Sequence, residues 1–149
     1  MEKNKYLFIS TEELYWRDGG QVKLSNSIVG LRKLVGSNFK LVTVSNSDKE
    51  KEVVKVYISP ILETQNIVFE NHFIIRKKDD GSLFEAEVLI AFKKLLAQQS
   101  IDMKKSFFIG SEKYNDVAEI INIKHLITGK KETGGWDRMN LLQFNGYIK

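Results

Sequence analysis

The sequence predicts an α/β protein: a mostly parallel sheet with helices on both faces, three layers deep and Rossmann-like in organisation. Three observations carry this expectation. Short apolar runs recur that end in serine: Lys5-Tyr-Leu-Phe-Ile-Ser10, Lys40-Leu-Val-Thr-Val-Ser45 and Phe107-Phe-Ile-Gly-Ser111. Unbroken apolar runs of this length suit strands covered on both faces. Segments with helical periodicity lie between them, the alternation that builds βαβ units. Each run also opens straight into polar residues, and in an open parallel sheet chemistry gathers beyond the carboxyl ends of the strands. Three polar turns are therefore expected to meet in one crevice.

Taken in order, Tyr6–Ile9 reads as the first strand, followed by the polar turn Ser10-Thr-Glu-Glu13. Leu14 to Leu24 reads as a small hairpin turning at Asp18-Gly-Gly20, flanked by aromatic and β-branched residues. Ser25 or Ser27 can cap a helix that puts Ile28, Leu31, Leu34 and Val35 on one face and stops at Gly36. Phe39 to Val44 is the next strand, leading to Ser45-Asn46. The following segment is ambiguous: Val53, Val54, Val56, Tyr57 and Ile58 favour a strand, the charged lead-in a helix, and Pro60 a break. Phe69–Ile75 reads as a strand and Asp79-Asp-Gly81 as a turn. Ser82 and Glu85 have capping-box spacing ahead of a helix carrying Phe84, Val88, Ala91, Phe92, Leu95 and Leu96. After Phe107–Ile109, Asn115 or Asp116 opens a short helix through Val117, Ile120 and Ile121. Lys124–Thr128 is the last strand, closed by Gly129, and a tail from Gly134 with Trp136, Leu141, Leu142 and Phe144 is expected to cover the core.

The 149 residues, 42% hydrophobic and 28% charged, suit one domain over residues 1–149. A chain of this size buries roughly 68–70% of its unfolded surface and needs no staple. Without cysteine there are no disulfides or thiolate metal sites. Two histidines, His72 and His125, make a multi-histidine metal site implausible, and both read as structural or surface residues. The first residues lack a signal-peptide core, and no run approaches the roughly 20 apolar residues of a membrane helix, so a cytoplasmic protein without membrane contact is expected. The net charge of +4 invites a nucleic-acid reading. The lysines are scattered, however, often beside glutamates as in Asp48-Lys-Glu-Lys-Glu52, and no aromatic-basic interleaving occurs. A solvated basic surface is the expectation, with nucleic acid not a partner.

Together the stretches Lys5-Tyr-Leu-Phe-Ile9, Lys40-Leu-Val-Thr-Val-Ser-Asn46 and Ser106-Phe-Phe-Ile-Gly110 resemble three motif strands of the haloacid dehalogenase (HAD) superfamily of phosphatases. The resemblance is to its capless branch, which holds histidinol-phosphate and heptose-bisphosphate phosphatases, and it spans roughly residues 5 to 130. It implies a HAD-like fold with a small β-hairpin flap after Glu13 and no large cap domain, for which residues 45 to 86 leave no room.

The catalytic positions implied by the resemblance are degenerate. The family's nucleophilic aspartate, which forms an aspartyl-phosphate, matches Ser10. The general acid-base matches Glu12, one methylene longer, and Glu13 replaces a loop glycine. Ser45 and Asn46 keep the phosphate-binding pair. The family's lysine falls on Ala86 by ungapped counting, with Lys77 or Lys78 as substitutes if the loop is rearranged. Ser111 replaces the first metal-binding aspartate of the last motif, Asn115 holds the second position, and Asp116 lies one residue late. Magnesium prefers carboxylate oxygen, so these losses weaken it severely.

The resemblance thus implies a pseudophosphatase without a cofactor, with magnesium relevant only to retained activity. It would act by binding a protein partner, a second copy of itself, or a small phosphorylated ligand at Ser10, Glu12, Ser45, Asn46, Ser111 and Asp116. The alternative expectation is a magnesium-dependent phosphomonoesterase with a displaced site built on Glu12, Asp116 and Ser10. Trp16 and Trp136, if exposed, would mark a partner surface.

Overall fold

The computed structural model describes residues 3–25, 27–98 and 100–128. Five strands form one sheet: β1 (Lys5–Ser10), β4 (Phe39–Ser45), β5 (Phe69–Ile74), β6 (Phe107–Gly110) and β7 (Lys124–Ile127). Their spatial order is β5-β4-β1-β6-β7 and every pairing is parallel. The remaining strands, β2 (Tyr15–Asp18) and β3 (Gln21–Leu24), make a separate antiparallel hairpin. The chain is α/β with helices on both faces of the sheet, as the alternation of strands and helices predicts.

The pleat of β1 explains the layering. Leu7 and Ile9 point to one face, where they pack with Ile28, Leu31 and Leu34 of α1 (Ser27–Gly36) and with Val53, Val54, Ile58 and Leu62. Tyr6 and Phe8 point to the other, against Val88, Phe92 and Leu95 of α4 (Glu85–Gln98) and Val117 and Ala118 of α5 (Asn115–Ile120). Successive residues of a strand alternate between faces, so a strand with apolar side chains on both must be central.

The ambiguous segment is helical. α2 (Asp48–Val53) runs into a π-helical turn, Val54–Ile58, and then α3 (Ser59–Glu63). Pro60 stands in the first turn of α3, immediately after the π turn. A proline there has no amide to contribute to the ladder, and a π turn relieves the crowding its ring creates upstream. The β-branched residues are used as core on a helix: Val53, Val54 and Ile58 are buried, whereas Val56 and Tyr57 are exposed.

Several local expectations change. Ser82 does not cap α4; its amide and hydroxyl bond the Asp80 carboxylate at 2.9 and 2.6 Å in the preceding turn, and the helix begins after Phe84. Gly36 ends α1, but the left-handed residue that turns the chain is Asn38, φ 68°. The hairpin turns as expected, with Gly19 and Gly20 both at positive φ (55° and 88°), the geometry of a type I′ turn. Gly129, the basic pair Lys130-Lys131 and the tail with Trp136, Leu141, Leu142 and Phe144 lie outside the described residues. Among the described residues no helix is long and apolar enough to cross a membrane.

Candidate functional site

The three serine-ended strands are neighbours, with β1 between β4 and β6. Ser10 is in register with Val44, one residue before Ser45, and Ile9 pairs with Ile109, two residues before Ser111. The sheet therefore brings Ser10, Ser45-Asn46 and Ser111 to one end, where a 3-10 turn, Thr11–Glu13, leaves β1 and another, Glu112–Tyr114, leaves β6. Ser10 and Ser45 are wholly buried, and among the described residues their hydroxyls, the Asn46 side-chain oxygen and the Tyr114 hydroxyl have no hydrogen-bond partner. Four unsatisfied polar atoms grouped at the ends of adjacent strands and in the turn after β6 are unusual, because a buried polar group left unpaired costs about 1–3 kcal/mol.

Tyr114 occupies the β1–β6 side. A Cβ built on Gly110 would stand 3.3 Å from its ring and 2.7 Å from Phe108, so glycine at the end of β6 is what lets the ring lie there. The ring packs on Phe108 with centroids 5.6 Å apart, and the Lys113 ammonium lies 5.6 Å from its centre. Lys113 also pairs with the Glu12 carboxylate. The residue matching the family's acid-base is thus held in an ion pair above a buried tyrosine. Burial pushes the Tyr114 phenol far above its usual range; the charges of Glu12 and Glu50 push the same way, and the Asn46 side chain pulls it back. It is a neutral phenol at any physiological pH.

Glu50 occupies the β1–β4 side. One oxygen of its carboxylate accepts from the Asn46 amide and from the Thr11 hydroxyl, both at 3.2 Å. Its own amide donates to the Ser47 hydroxyl at 3.3 Å, the N-cap bond of α2. The spacing Ser47-x-x-Glu50 is that of a capping box, but the carboxylate reaches one residue further back, into the crevice.

The remaining expected residues separate into near and far. Glu13 is buried and structural: its carboxylate accepts from the Thr128 hydroxyl at 2.5 Å, and its carbonyl accepts from the Ser25 and Ser27 hydroxyls, fixing the hairpin to the sheet. Lys77 reaches the Lys113 carbonyl at 3.4 Å, which brings its ammonium to the turn after Ser111. Ala86 is exposed in the first turn of α4, and Lys78 lies over Phe84, 5.6 Å from its ring centre. Asn115 is exposed, and Asp116 accepts from the Val117 amide at 3.0 Å. His72 bonds Thr43 at 2.6 Å, and His125 contacts the Gly110 carbonyl at 2.9 Å; both are structural. Trp16 is half-buried on the hairpin. Sequence reasoning missed Glu50, Lys113 and Tyr114. Only Glu50 had a signal, the capping-box spacing.

No family model and no curated protein sequence matches the chain. Among solved structures, the chain is similar to one described as the Pnkp1/Rnl/Hen1 RNA repair complex, with TM-score 0.51 and 12% identity over 91% of this chain and 44% of the other. A structure of AibC has TM-score 0.35 and 9% identity, over 99% of this chain and 44% of that one. The chain spans less than half the length of either. The first likeness bears on fold alone.

The donor set is a poor fit for magnesium. Where the resemblance implies aspartates, Ser10 and Ser111 offer neutral hydroxyls and Asn115 an exposed amide. Among the described residues no three of His, Asp and Glu converge as metal ligands. A hard divalent cation held by protein requires at least one or two well-placed carboxylates. Glu12 is committed to Lys113 and Glu50 to Thr11 and Asn46, so neither carboxylate is presented to an ion.

Proposed function

We propose that this chain is a HAD-like phosphatase fold that has lost phosphoryl-transfer chemistry and works by binding. The observation that carries the reading is the environment of Ser10. Its hydroxyl is fully buried and bonds no base among the described residues. Serine is a weak nucleophile unless an adjacent base takes its proton, and this buried hydroxyl has none within hydrogen-bond reach among the described residues. The residue at the acid-base position is held by Lys113 instead of being presented to a leaving group. Lys77, lying at the turn after Ser111, is the substitute for the missing motif lysine that this geometry favours.

With both sides of the crevice occupied by the chain's own side chains, binding falls to the outer surface. Val56, Tyr57 and Ile61 expose about half of their surface (55%, 59% and 45%) along α2–α3. Tyr57 also lines a groove with Arg17, Gln21 and Val22 of the hairpin. Aromatic and aliphatic groups exposed together beside an arginine suit a protein partner better than a solvated wall.

The test is a phosphatase screen with magnesium over phosphomonoester substrates, comparing the native chain with Ser10→Ala. No turnover above the variant's background is expected. Turnover that Ser10→Ala abolishes would overturn the reading in favour of a phosphomonoesterase with an unusual nucleophile.

A further inference from the structure

α4 is the longest helix among the described residues, and most of its surface is uncovered. Only Val88, Phe92 and Leu95 of its 14 residues are buried, on the side that meets the sheet. Leu89, Ile90 and Leu96 are exposed, and Ile90 at 67% is the most exposed large apolar side chain among the described residues. The charges of α4 are segregated along its length. Glu85 and Glu87 stand in the first turn, Lys93 and Lys94 in the second half. None of the four has an opposite charge three or four residues away, the spacing at which charges pair along a helix. Among the described residues none of them is in an ion pair. The helix dipole favours the two acids where they stand, but the lysines fall short of the last turn, where it favours cations. Beside the acids lies a groove lined by Leu83, Phe84 and Ala86, with Phe84 partly exposed in it.

We infer that α4 is a self-association surface, on which a second copy of this chain lays its own α4 antiparallel about a two-fold axis near Ile90. Charge complementarity selects both the occupant and the direction. An antiparallel pair sets the acidic start of each helix against the lysines of the other, twice by symmetry, whereas a parallel pair sets like charges together. Glu87 precedes Ile90 by three residues and Lys93 follows it by three, so Glu87 lies level with the partner's Lys93 and beside the partner's Lys94. Phe84 and Leu96 are six residues either side, which brings the partner's Leu96 to the apolar groove at the helix start. Ile90 meets the partner's Ile90 on the axis, where both leave water. A helix of 14 residues is only about 21 Å long, so the interface is small and the dimer weak. α4 packs on the sheet face opposite to α2 and α3. The dimer therefore leaves the Tyr57 grooves of both copies open, as two equivalent sites on one assembly.

The experiment is sedimentation equilibrium of the native chain, Ile90→Asp, Glu87→Lys and the double variant Lys93→Glu, Lys94→Glu. All four positions are exposed, so each variant should keep the native circular dichroism. The native chain should dimerise reversibly with a Kd on the order of 10–100 µM. Ile90→Asp places two like charges on the axis and should weaken the dimer at least about tenfold. Glu87→Lys and the double lysine variant should each weaken it several-fold by setting like charges together. Mixed one to one, those two variants should pair with each other about as tightly as the native chain pairs with itself, because each then meets the opposite charge. A native chain that sediments as a monomer at about 1 mM would overturn the inference. So would a dimer that Ile90→Asp leaves unchanged, since it must use another face. Failure of the mixed charge variants to recover association would rule out the antiparallel pairing.

Discussion

The two sides of the strand-end crevice are filled by opposite means. Beside β6, an aromatic ring lies over a glycine and against Phe108, wholly buried. Beside β4, a half-exposed carboxylate spans an amide and a hydroxyl. The first closure is dispersion and apolar burial, which nothing in water replaces. The second is polar, and water competes for the same donors. One side of the pocket is part of the core, therefore, and the other is a contact that can be exchanged.

Breaking the apolar side should have the largest effect. Tyr114→Ala removes a buried aromatic and leaves a cavity, and should cost about 3–5 kcal/mol in chemical denaturation. Gly110→Ala attacks the same packing from below, driving a methyl into Phe108 and Tyr114. It should cost about 1–3 kcal/mol, and less when combined with a smaller residue at 114. Tyr114→Phe keeps the ring and deletes an unpartnered hydroxyl, so it should be neutral or stabilise by about 1 kcal/mol. A loss instead would show that this hydroxyl does have a partner. On the polar side Glu50→Ala should cost only about 1 kcal/mol, since Ser47 still caps α2. Lys113→Ala, which breaks a partly exposed ion pair, should cost at most about 1 kcal/mol and less in high salt.

The last prediction concerns pH and lies outside both halves, on β5. Burial first, and then the charges of Lys51 and Lys55, hold the His72 imidazole below its ordinary range. The unfolded chain therefore takes up a proton before the folded chain does. The stability this gives is fully present above the unfolded value of about 6.5 and is lost as pH falls through the folded one. Thermal melts should drop below pH about 6.5 in the native chain and flatten there in His72→Gln.

What the sequence made legible follows from how local each feature is. The strands β1, β4 and β6 announce themselves because a strand buried on both faces needs an unbroken apolar run. The hairpin does so because two adjacent positive-φ positions call for Asp18-Gly-Gly20. The helix at 48–63 was hidden because its β-branched residues are there for the core and not for the backbone, a case of tertiary packing overriding propensity. The site was half legible. Ser10, Ser45, Asn46 and Ser111 follow from strand ends and sequence order. Tyr114 and Lys113 depend on β6 lying next to β1, a long-range pairing that no local pattern encodes. Glu50 was legible as a cap, but its reach into the crevice required the turn after β1 to be placed beside α2.

The most direct test is a 19F NMR titration of the native chain with magnesium and beryllofluoride, a mimic of a phosphoryl group on an active phosphatase. A crevice filled by Tyr114 and Glu50, with no carboxylate at position 10, predicts no protein-bound fluoride resonance up to millimolar concentrations of both. A bound resonance that requires magnesium and disappears in Ser10→Ala would show the site still handles phosphoryl groups, and would contradict the loss of catalysis.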